Sequence, residues 1–200
     1  MASTPMTVEE VMREIRQDIL YYRYSKGGVT LSGGEALCQP DIVNAIVDAC
    51  RKEGIETAVE TNLLHPFETI APVLKKMSLI MADIKLLDDT EHRKWTGVSN
   101  RIILENAKRL GELGIPLIFR TPLIPEATDS ADNLRGIARF VAEIPNVEYY
   151  ELLNFNPLGA DKYTAMREDN PFSSARPFKP EQLAEFERMT QDCGVKIKIS

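Results

Sequence analysis

The stretch GGVTLSGGEALCQP, residues 27–40, sets the fold because it joins a strand, a turn and the start of a helix. Residues 29–31 are apolar or β-branched, which is typical of a strand. Residues 32–35 read Ser-Gly-Gly-Glu, and paired glycines indicate a sharp turn or a close backbone approach. A helix follows Pro40, beginning at Asp41 and ending at Gly54. This stretch predicts one strand–turn–helix unit with a carboxylate placed directly after its strand.

The same unit recurs along the chain. Strands are predicted at 29–32, 55–61, 79–85, 115–121, 147–155 and 195–199. Helices are predicted at 8–22, 41–53, 66–76, 88–95, 100–114, 129–143 and 180–193. A turn is expected at 156–159 and a polar surface loop at 167–176. This alternation predicts a parallel sheet with right-handed crossovers.

Chain length selects among parallel α/β architectures. A complete eight-unit barrel takes about 250 residues, whereas this chain has 200. The predicted fold class is therefore α/β, a partial (β/α) TIM-type barrel with a parallel sheet, built as a single domain over residues 1–200. A doubly wound sheet is the alternative.

Several local signals refine the helices. Thr7 and Glu10 fit a capping box, a hydroxyl followed three residues later by a carboxylate. Asn100 is expected to cap the helix that follows it. The apolar stripe predicted for the first helix is Val11, Ile15, Ile19 and Tyr22, and that of the helix after Pro40 is Ile42, Ile46, Ala49 and Cys50.

Composition excludes several classes of protein. The formal net charge is −6, which argues against nucleic acid as the main partner because phosphate binding needs clustered basic residues. No apolar run approaches the roughly 20 residues that cross a bilayer, and the first residues lack the pattern of a signal peptide. Cys38, Cys50 and Cys193 are too widely spaced for a CxxC-type metal motif or a disulfide framework. Free thiols in a reducing cytoplasm are the expectation.

Polar residues gather where five predicted strands end. They are Ser32 and Glu35, then Glu60, Thr61 and Asn62, then Asp83 and Lys85, then Arg120 and Thr121, and finally Asn154 and Asn156. Each set alone fits an ion pair, a helix cap or a turn. Because the carboxyl ends of parallel strands meet at one rim, the five sets together predict a polar ligand site there.

The residue types at this rim indicate a class of ligand. Acids, bases and amides together suit a zwitterion, and bare glycine backbone suits a small ammonium or carboxylate group. Glu60, Thr61 and Asp83 supply oxygen atoms only, which suits a hard cation. The two histidines, His65 and His92, are expected to be surface residues. No Walker or Rossmann glycine pattern is present.

Six ordered motifs resemble one known family over nearly the whole chain. They are GGVTLSGGEAL, ETN, MADIKLLD, HRKWTGVSN, FRTPLIPEATDS and YYELLNFNPLGADKY. In this order they are similar to the glycyl-radical-enzyme activating enzymes, radical S-adenosylmethionine (SAM) proteins that include pyruvate formate-lyase activating enzyme. The resemblance implies SAM as cofactor, a glycyl radical enzyme similar to formate acetyltransferase as partner, and flavodoxin or ferredoxin as electron donor.

The resemblance also implies roles for matching positions. Gly33, Gly34 and Glu35 would hold the amino group of SAM, and Lys85 would meet its carboxylate. Glu60, Thr61 and Asp83, with the Ile84 carbonyl, resemble a site for a monovalent cation. Arg120 would lie near SAM or a bound peptide, and Asn156 stands where several members carry a histidine beside the adenosine.

One departure from the family concerns the iron–sulfur cluster. The family's reaction needs C-x3-C-x2-C to hold a 4Fe–4S cluster, and no such motif occurs here. We therefore expect a truncated domain, open on the side of a missing first βα unit, that has no catalytic residue of its own and is inactive alone. The exposed edge at Val29 is expected to be covered by the first helix, by a neighbouring chain, or not at all.

Two alternatives belong to other functional classes. An aldolase-like barrel would use Lys85 to form a Schiff base, with Glu60 or Asp83 handling protons. It explains a lysine at a strand end but not the Gly-Gly-Glu turn. A binding module without chemistry is the second alternative.

Overall fold

The computed structural model describes residues 4–157, 163 and 169–200. In this part of the chain, six parallel strands form one sheet in the order β1-β2-β3-β4-β5-β6. The strands are β1 (Gly28–Leu31), β2 (Glu56–Thr61), β3 (Leu79–Asp83), β4 (Leu117–Pro122), β5 (Val147–Leu153) and β6 (Ile197–Ile199). The helices are α1 (Val8–Gln17), α2 (Ile19–Ser25), α3 (Pro40–Lys52), α4 (Phe67–Leu74), α5 (Asp89–Thr96), α6 (Arg101–Leu110), α7 (Ala131–Ala142) and α8 (Pro180–Thr190). Short 3-10 helices lie at Ala36–Cys38 and Gly111–Leu113.

Strand order distinguishes the two predicted architectures. A doubly wound sheet reverses its order at a switch point, whereas here every strand lies beside the strand that precedes it in the chain. The α/β partial barrel with a parallel sheet is therefore confirmed, and the doubly wound alternative is wrong.

The two faces of the sheet have different roles. Val59, Ile80 and Leu152 are fully buried and pack under the helices in the main hydrophobic core. Because side chains alternate along a strand, the neighbouring positions point to the other, concave face. Glu60 and Asp83 are such positions, and both are only partly buried. The concave face therefore carries charge towards the ends of β2 and β3.

The first helical segment follows its cap but contains a break. The Thr7 hydroxyl accepts the Glu10 N–H at 3.2 Å, and the Glu10 carboxylate accepts the Thr7 N–H at 2.7 Å, so the capping box is confirmed. One helix over 8–22 is wrong, because Asp18 leaves the helical conformation and separates α1 from α2. Met12 and Ile15 are buried in a second, smaller hydrophobic cluster.

Two other local predictions are corrected. Ile42 is 48% exposed, and Val43 takes the buried position on α3 instead. The apolar residues at 42 and 43 left the phase of this helix ambiguous. Asn100 does not cap α6, since its side chain donates to the carbonyls of Leu86 and Leu87 at 2.9 and 2.7 Å.

The edge strand β1 pairs only with β2 in the described residues. Helix α1 packs near it, because the small cluster that holds Met12 also takes in Val29 and Leu31. This contact is through side chains, and no described strand pairs with the outer edge of β1. The first helix thus covers a face of this strand, not its hydrogen-bonding edge.

Parts of two predictions fall on positions that are not described: the end of the turn at 156–159 and the start of the loop at 167–176. Among the described residues, no helix is long and apolar enough to cross a membrane.

Candidate functional site: a charged pocket at the rim of the sheet

A polar pocket of about 230 Å³ lies at the carboxyl ends of β1 to β4. Its walls come from the turn after β1 and from the ends of the next three strands. They are formed by Ser32, Gly33, Gly34, Glu35, Glu60, Thr61, Asn62, Asp83, Lys85 and Arg120. The structure thus brings together the polar residues expected at the ends of the first four strands, except Thr121, which is fully buried. Asn154 and Asn156, expected at the end of the fifth strand, line a different cavity.

The glycine pair forms a wall of bare backbone. Gly33 and Gly34 have φ angles of 95° and 56°, a region that residues with a Cβ rarely adopt. A Cβ built at either position meets no heavy atom within 4 Å, so the space beside the turn is open. Backbone atoms at this turn can therefore approach a ligand closely.

Glu35 is held by the backbone on both sides of the pocket. One carboxylate oxygen accepts the Leu37 N–H at 3.1 Å, and the other accepts the Asn62 N–H at 2.7 Å. Glu35 therefore ties the turn after β1 to the turn after β2. Each oxygen keeps a further lone pair for a ligand.

Arg120 lies between the two carboxylates on the concave face. Its guanidinium donates to Glu60 Oε1 at 2.8 Å from Nη1, and to Asp83 Oδ1 at 3.1 Å from Nη2. Strand register explains this contact, since Asp83 and Arg120 are direct partners across β3 and β4. The Ser32 hydroxyl donates to the second oxygen of Glu60 at 2.5 Å.

These contacts shift two pKa values. The hydrogen bond from Arg120 is the main cause that lowers the pKa of Glu60, and it outweighs the opposing effect of burial. Burial alone would lower the pKa of Arg120, but the ion pairs with Glu60 and Asp83 raise it. Arg120 therefore pairs with carboxylates on two neighbouring strands.

Lys85 is the more loosely held cation of the pocket. Its Nζ lies 3.3 Å from Asp83 Oδ2, at the long end of hydrogen-bond distances. The Lys85 side chain is 31% exposed, compared with 12% for Arg120. Lys85 is therefore the cation that can turn to a ligand carboxylate at least cost.

Thr61 and Asn156 have surroundings that the sequence did not indicate. Thr61 contributes to the pocket wall, but its hydroxyl accepts the Leu63 N–H at 3.0 Å. Asn156 lines a separate cavity of about 630 Å³ beyond the ends of β4, β5 and β6. This larger cavity is mostly apolar, whereas the charged groups converge in the smaller one.

The histidines differ from each other. His92 is 3% exposed and is not a surface residue, and its Nδ1 lies 2.8 Å from the Val98 carbonyl oxygen. His65 is partly buried, and its Nε2 lies 3.6 Å from Cys38 Sγ. The sequence contained no signal for the contact between His65 and Cys38, because they follow different strands.

A zwitterionic amino acid group fits this pocket. Glu35 offers acceptors for an ammonium, the glycine backbone allows close approach, and Lys85 offers a donor for a carboxylate. The residues do not fit an iron–sulfur cluster. Cys38 is exposed at the rim, Cys50 is buried beside Met12 and Cys193 follows α8. No group of three or more His, Cys, Asp or Glu in the described residues could hold a metal ion.

Comparisons with known proteins identify the family. The family described as "Radical SAM superfamily" matches residues 2–139. The (2S)-3-sulfopropanediol dehydratase activating enzyme of Klebsiella oxytoca is 42% identical over 163 residues, which cover 80% of this chain and 51% of that protein. The pyruvate formate-lyase 1-activating enzyme of Escherichia coli strain K12 is 34% identical over 194 residues, covering 96% of this chain and 79% of that protein.

A solved structure agrees with these relatives. The crystal structure of a domain of pyruvate-formate lyase-activating enzyme from Bacteroides vulgatus ATCC 8482 matches with a TM-score of 0.72 and 29% identity. The match covers 87% of this chain and 99% of that one. The chain spans about half the length of the Klebsiella relative. These matches favour the activating-enzyme interpretation over the aldolase-like one, and the chain belongs to the radical SAM superfamily as a member of the glycyl-radical-enzyme activating enzymes.

Proposed function

We propose that this chain is the SAM-binding part of a glycyl-radical-enzyme activating enzyme. The observation that carries the proposal is the charged pocket, where the Gly33-Gly34 backbone, Glu35 and Lys85 face one space of about 230 Å³. Glu35 would accept hydrogen bonds from the ammonium of SAM, and Lys85 would donate to its carboxylate. Asn156, in the neighbouring cavity, would lie on the adenosine side.

Two further site assignments belong to this proposal. Arg120 would orient the ligand by keeping Glu60 and Asp83 in place, as its contacts with both carboxylates support. For a monovalent cation, the proposed ligands are Glu60, Thr61, Asp83 and the Ile84 carbonyl. Arg120 already pairs with both carboxylates, so a cation would share their oxygens with the guanidinium.

For the intact protein we propose the chemistry of the family. A reduced 4Fe–4S cluster would supply one electron for the cleavage of SAM into methionine and a 5′-deoxyadenosyl radical. That radical would abstract a hydrogen atom from a glycine of the partner enzyme. The partner would be a glycyl radical enzyme similar to formate acetyltransferase, with flavodoxin or ferredoxin as electron donor. The names of the Klebsiella and Escherichia coli relatives support the class of partner. A cytoplasmic location agrees with three free thiols.

Calorimetric titration of the chain with SAM tests the binding proposal. Lys85→Ala should weaken SAM binding by about 1–3 kcal/mol, the usual range for a hydrogen bond to a charged group. Glu35→Gln should weaken it as well, because the ammonium loses its charged acceptor. Lys52→Ala, an exposed lysine at the far end of α3, is the matched control and should leave the affinity unchanged. Equal affinity in the wild type and in both pocket variants would overturn the proposal.

A further inference from the structure

We propose that Asn133 is a positioning residue for Lys85, and that it acts through the backbone of the loop that follows β3. The inference rests on the proposed SAM site, because Lys85 would contact the carboxylate of SAM there. Nothing in the sequence motifs of the pocket includes Asn133, which lies in the first turn of α7.

Lys85 lies beyond the end of its strand. Strand β3 ends at Asp83, and the ladder with β4 continues only through the Ile84 N–H, which donates to the Arg120 carbonyl at 2.9 Å. From Lys85 onward, strand pairing no longer fixes the backbone. A loop without ladder hydrogen bonds must be held by other groups if its side chain is to keep one position.

Two side chains supply those hydrogen bonds: Asn100 holds the Leu86 and Leu87 carbonyls, and Asn133 holds Lys85 itself. The Asn133 Nδ2 donates to the Lys85 carbonyl at 3.0 Å, and its Oδ1 accepts the Leu87 N–H at 3.1 Å. The same Nδ2 donates to the Thr128 carbonyl at 2.9 Å, in the loop after β4. One amide therefore fastens the loop after β3 on both sides of Leu86 and anchors it to the neighbouring loop.

A merely structural asparagine provides the comparison. Asn106 on α6 is buried, and its Nδ2 donates to the Leu63 and His65 carbonyls at 2.9 and 2.7 Å. It fastens the loop after β2 with the same chemistry but does not touch the loop that carries Lys85. Loss of Asn106 removes two backbone carbonyl contacts, and loss of Asn133 removes two carbonyl contacts and the Leu87 N–H contact. Of these two changes, only the loss of Asn133 releases the backbone of Lys85.

The test compares SAM with decarboxylated SAM, which lacks the carboxylate that Lys85 would contact. The wild-type chain should bind SAM about tenfold more tightly than the decarboxylated form, as expected for one charge-assisted hydrogen bond. Asn133→Ala should reduce this preference to about threefold or less, because Lys85 is no longer held at one position. Asn106→Ala should keep the preference at about tenfold although it lowers the melting temperature.

The outcomes separate the inference from the function on which it rests. If the wild type does not bind SAM, or if Lys85→Ala keeps the wild-type preference, the proposed function fails, and the inference fails with it. If Lys85→Ala abolishes the preference and Asn133→Ala keeps it, the inference alone is overturned. Asn133→Ser, whose hydroxyl is too short to span the loop, replaces the alanine variant if the latter does not fold.

Discussion

Replacing Arg120 with methionine removes the guanidinium that bridges Glu60 and Asp83. Methionine has a similar length and fills most of the same volume, so the change isolates the charge and its hydrogen bonds. The Arg120 side chain is only 12% exposed, while those of Glu60 and Asp83 are 33% and 24% exposed. The variant therefore leaves two partly buried carboxylates without their main counter-charge.

The magnitude follows from these exposures. Breaking a fully buried pair by removing one partner costs about 3–5 kcal/mol. Water reaches both carboxylates here, so we expect Arg120→Met to lower the free energy of unfolding by about 2–3 kcal/mol at pH 7. Arg93→Met is the control: Arg93 is 54% exposed and pairs with Asp89 on the surface of α5, so its loss should cost about 0.5 kcal/mol.

Urea unfolding at several pH values measures both the size and the origin of the effect. The folded protein lowers the pKa of Glu60 below its ordinary value of 4.5. The resulting stabilisation is present above that pH and is lost as the pH falls through the lowered value. Arg120→Met lacks the hydrogen bond that mainly lowers the pKa of Glu60. The difference in the free energy of unfolding between wild type and variant should therefore shrink below pH 4.5. The reasoning would be refuted if the urea midpoint of Arg120→Met at pH 7 were equal to or above that of the wild type. It would also be refuted if the difference in the free energy of unfolding did not depend on pH.

Three further changes test other parts of the structure. Leu63 is fully buried with a φ of 58°. Leu63→Gly should lower the free energy of unfolding by about 2 kcal/mol, since the lost burial exceeds the relieved strain; a stabilised variant in urea would contradict this. Iodoacetamide should label exposed Cys38 before Cys193, and buried Cys50 only after unfolding, as followed by mass spectrometry; early labelling of Cys50 would argue against the packing of α1 on α3. Tyr150→Phe removes a buried 2.6 Å hydrogen bond from the Tyr150 hydroxyl to the Thr121 hydroxyl and should lower the free energy of unfolding by about 1–2 kcal/mol, as measured by thermal unfolding. An unchanged melting temperature would show that this bond adds no net stability.

Local patterns made much of the fold predictable from the sequence. Thr7 and Glu10 form their capping box with contacts three residues apart, so the sequence contains all the information that this cap needs. The place of Glu60 and Asp83 on one face follows from strand alternation, and their meeting at one rim follows from parallel strands. Predictions that rest on the helix cap and on alternation along β2 and β3 therefore succeeded, whereas the helix stripe that included Ile42 did not.

Contacts between loops could not be predicted in the same way. The bond from the Asn62 N–H to Glu35 and the place of Arg120 between two carboxylates depend on how neighbouring strands are aligned. The side chains of Asn100 and Asn133 donate to backbone carbonyls far away in sequence. No sequence pattern around either asparagine reveals such a partner. At Ile42 the predicted buried position was wrong by one residue, because the adjacent apolar residues Ile42 and Val43 allowed two phases of the helix.

The sequential strand order also bears on how the chain is assembled. Each strand from β2 onward finds its partner in the strand that was synthesised immediately before it. No described strand after β1 has to wait for its first partner, and each pairing closes only the loop of one crossover. Growth of the sheet can therefore follow the emergence of the polypeptide from the ribosome, one strand at a time, with a single advancing edge.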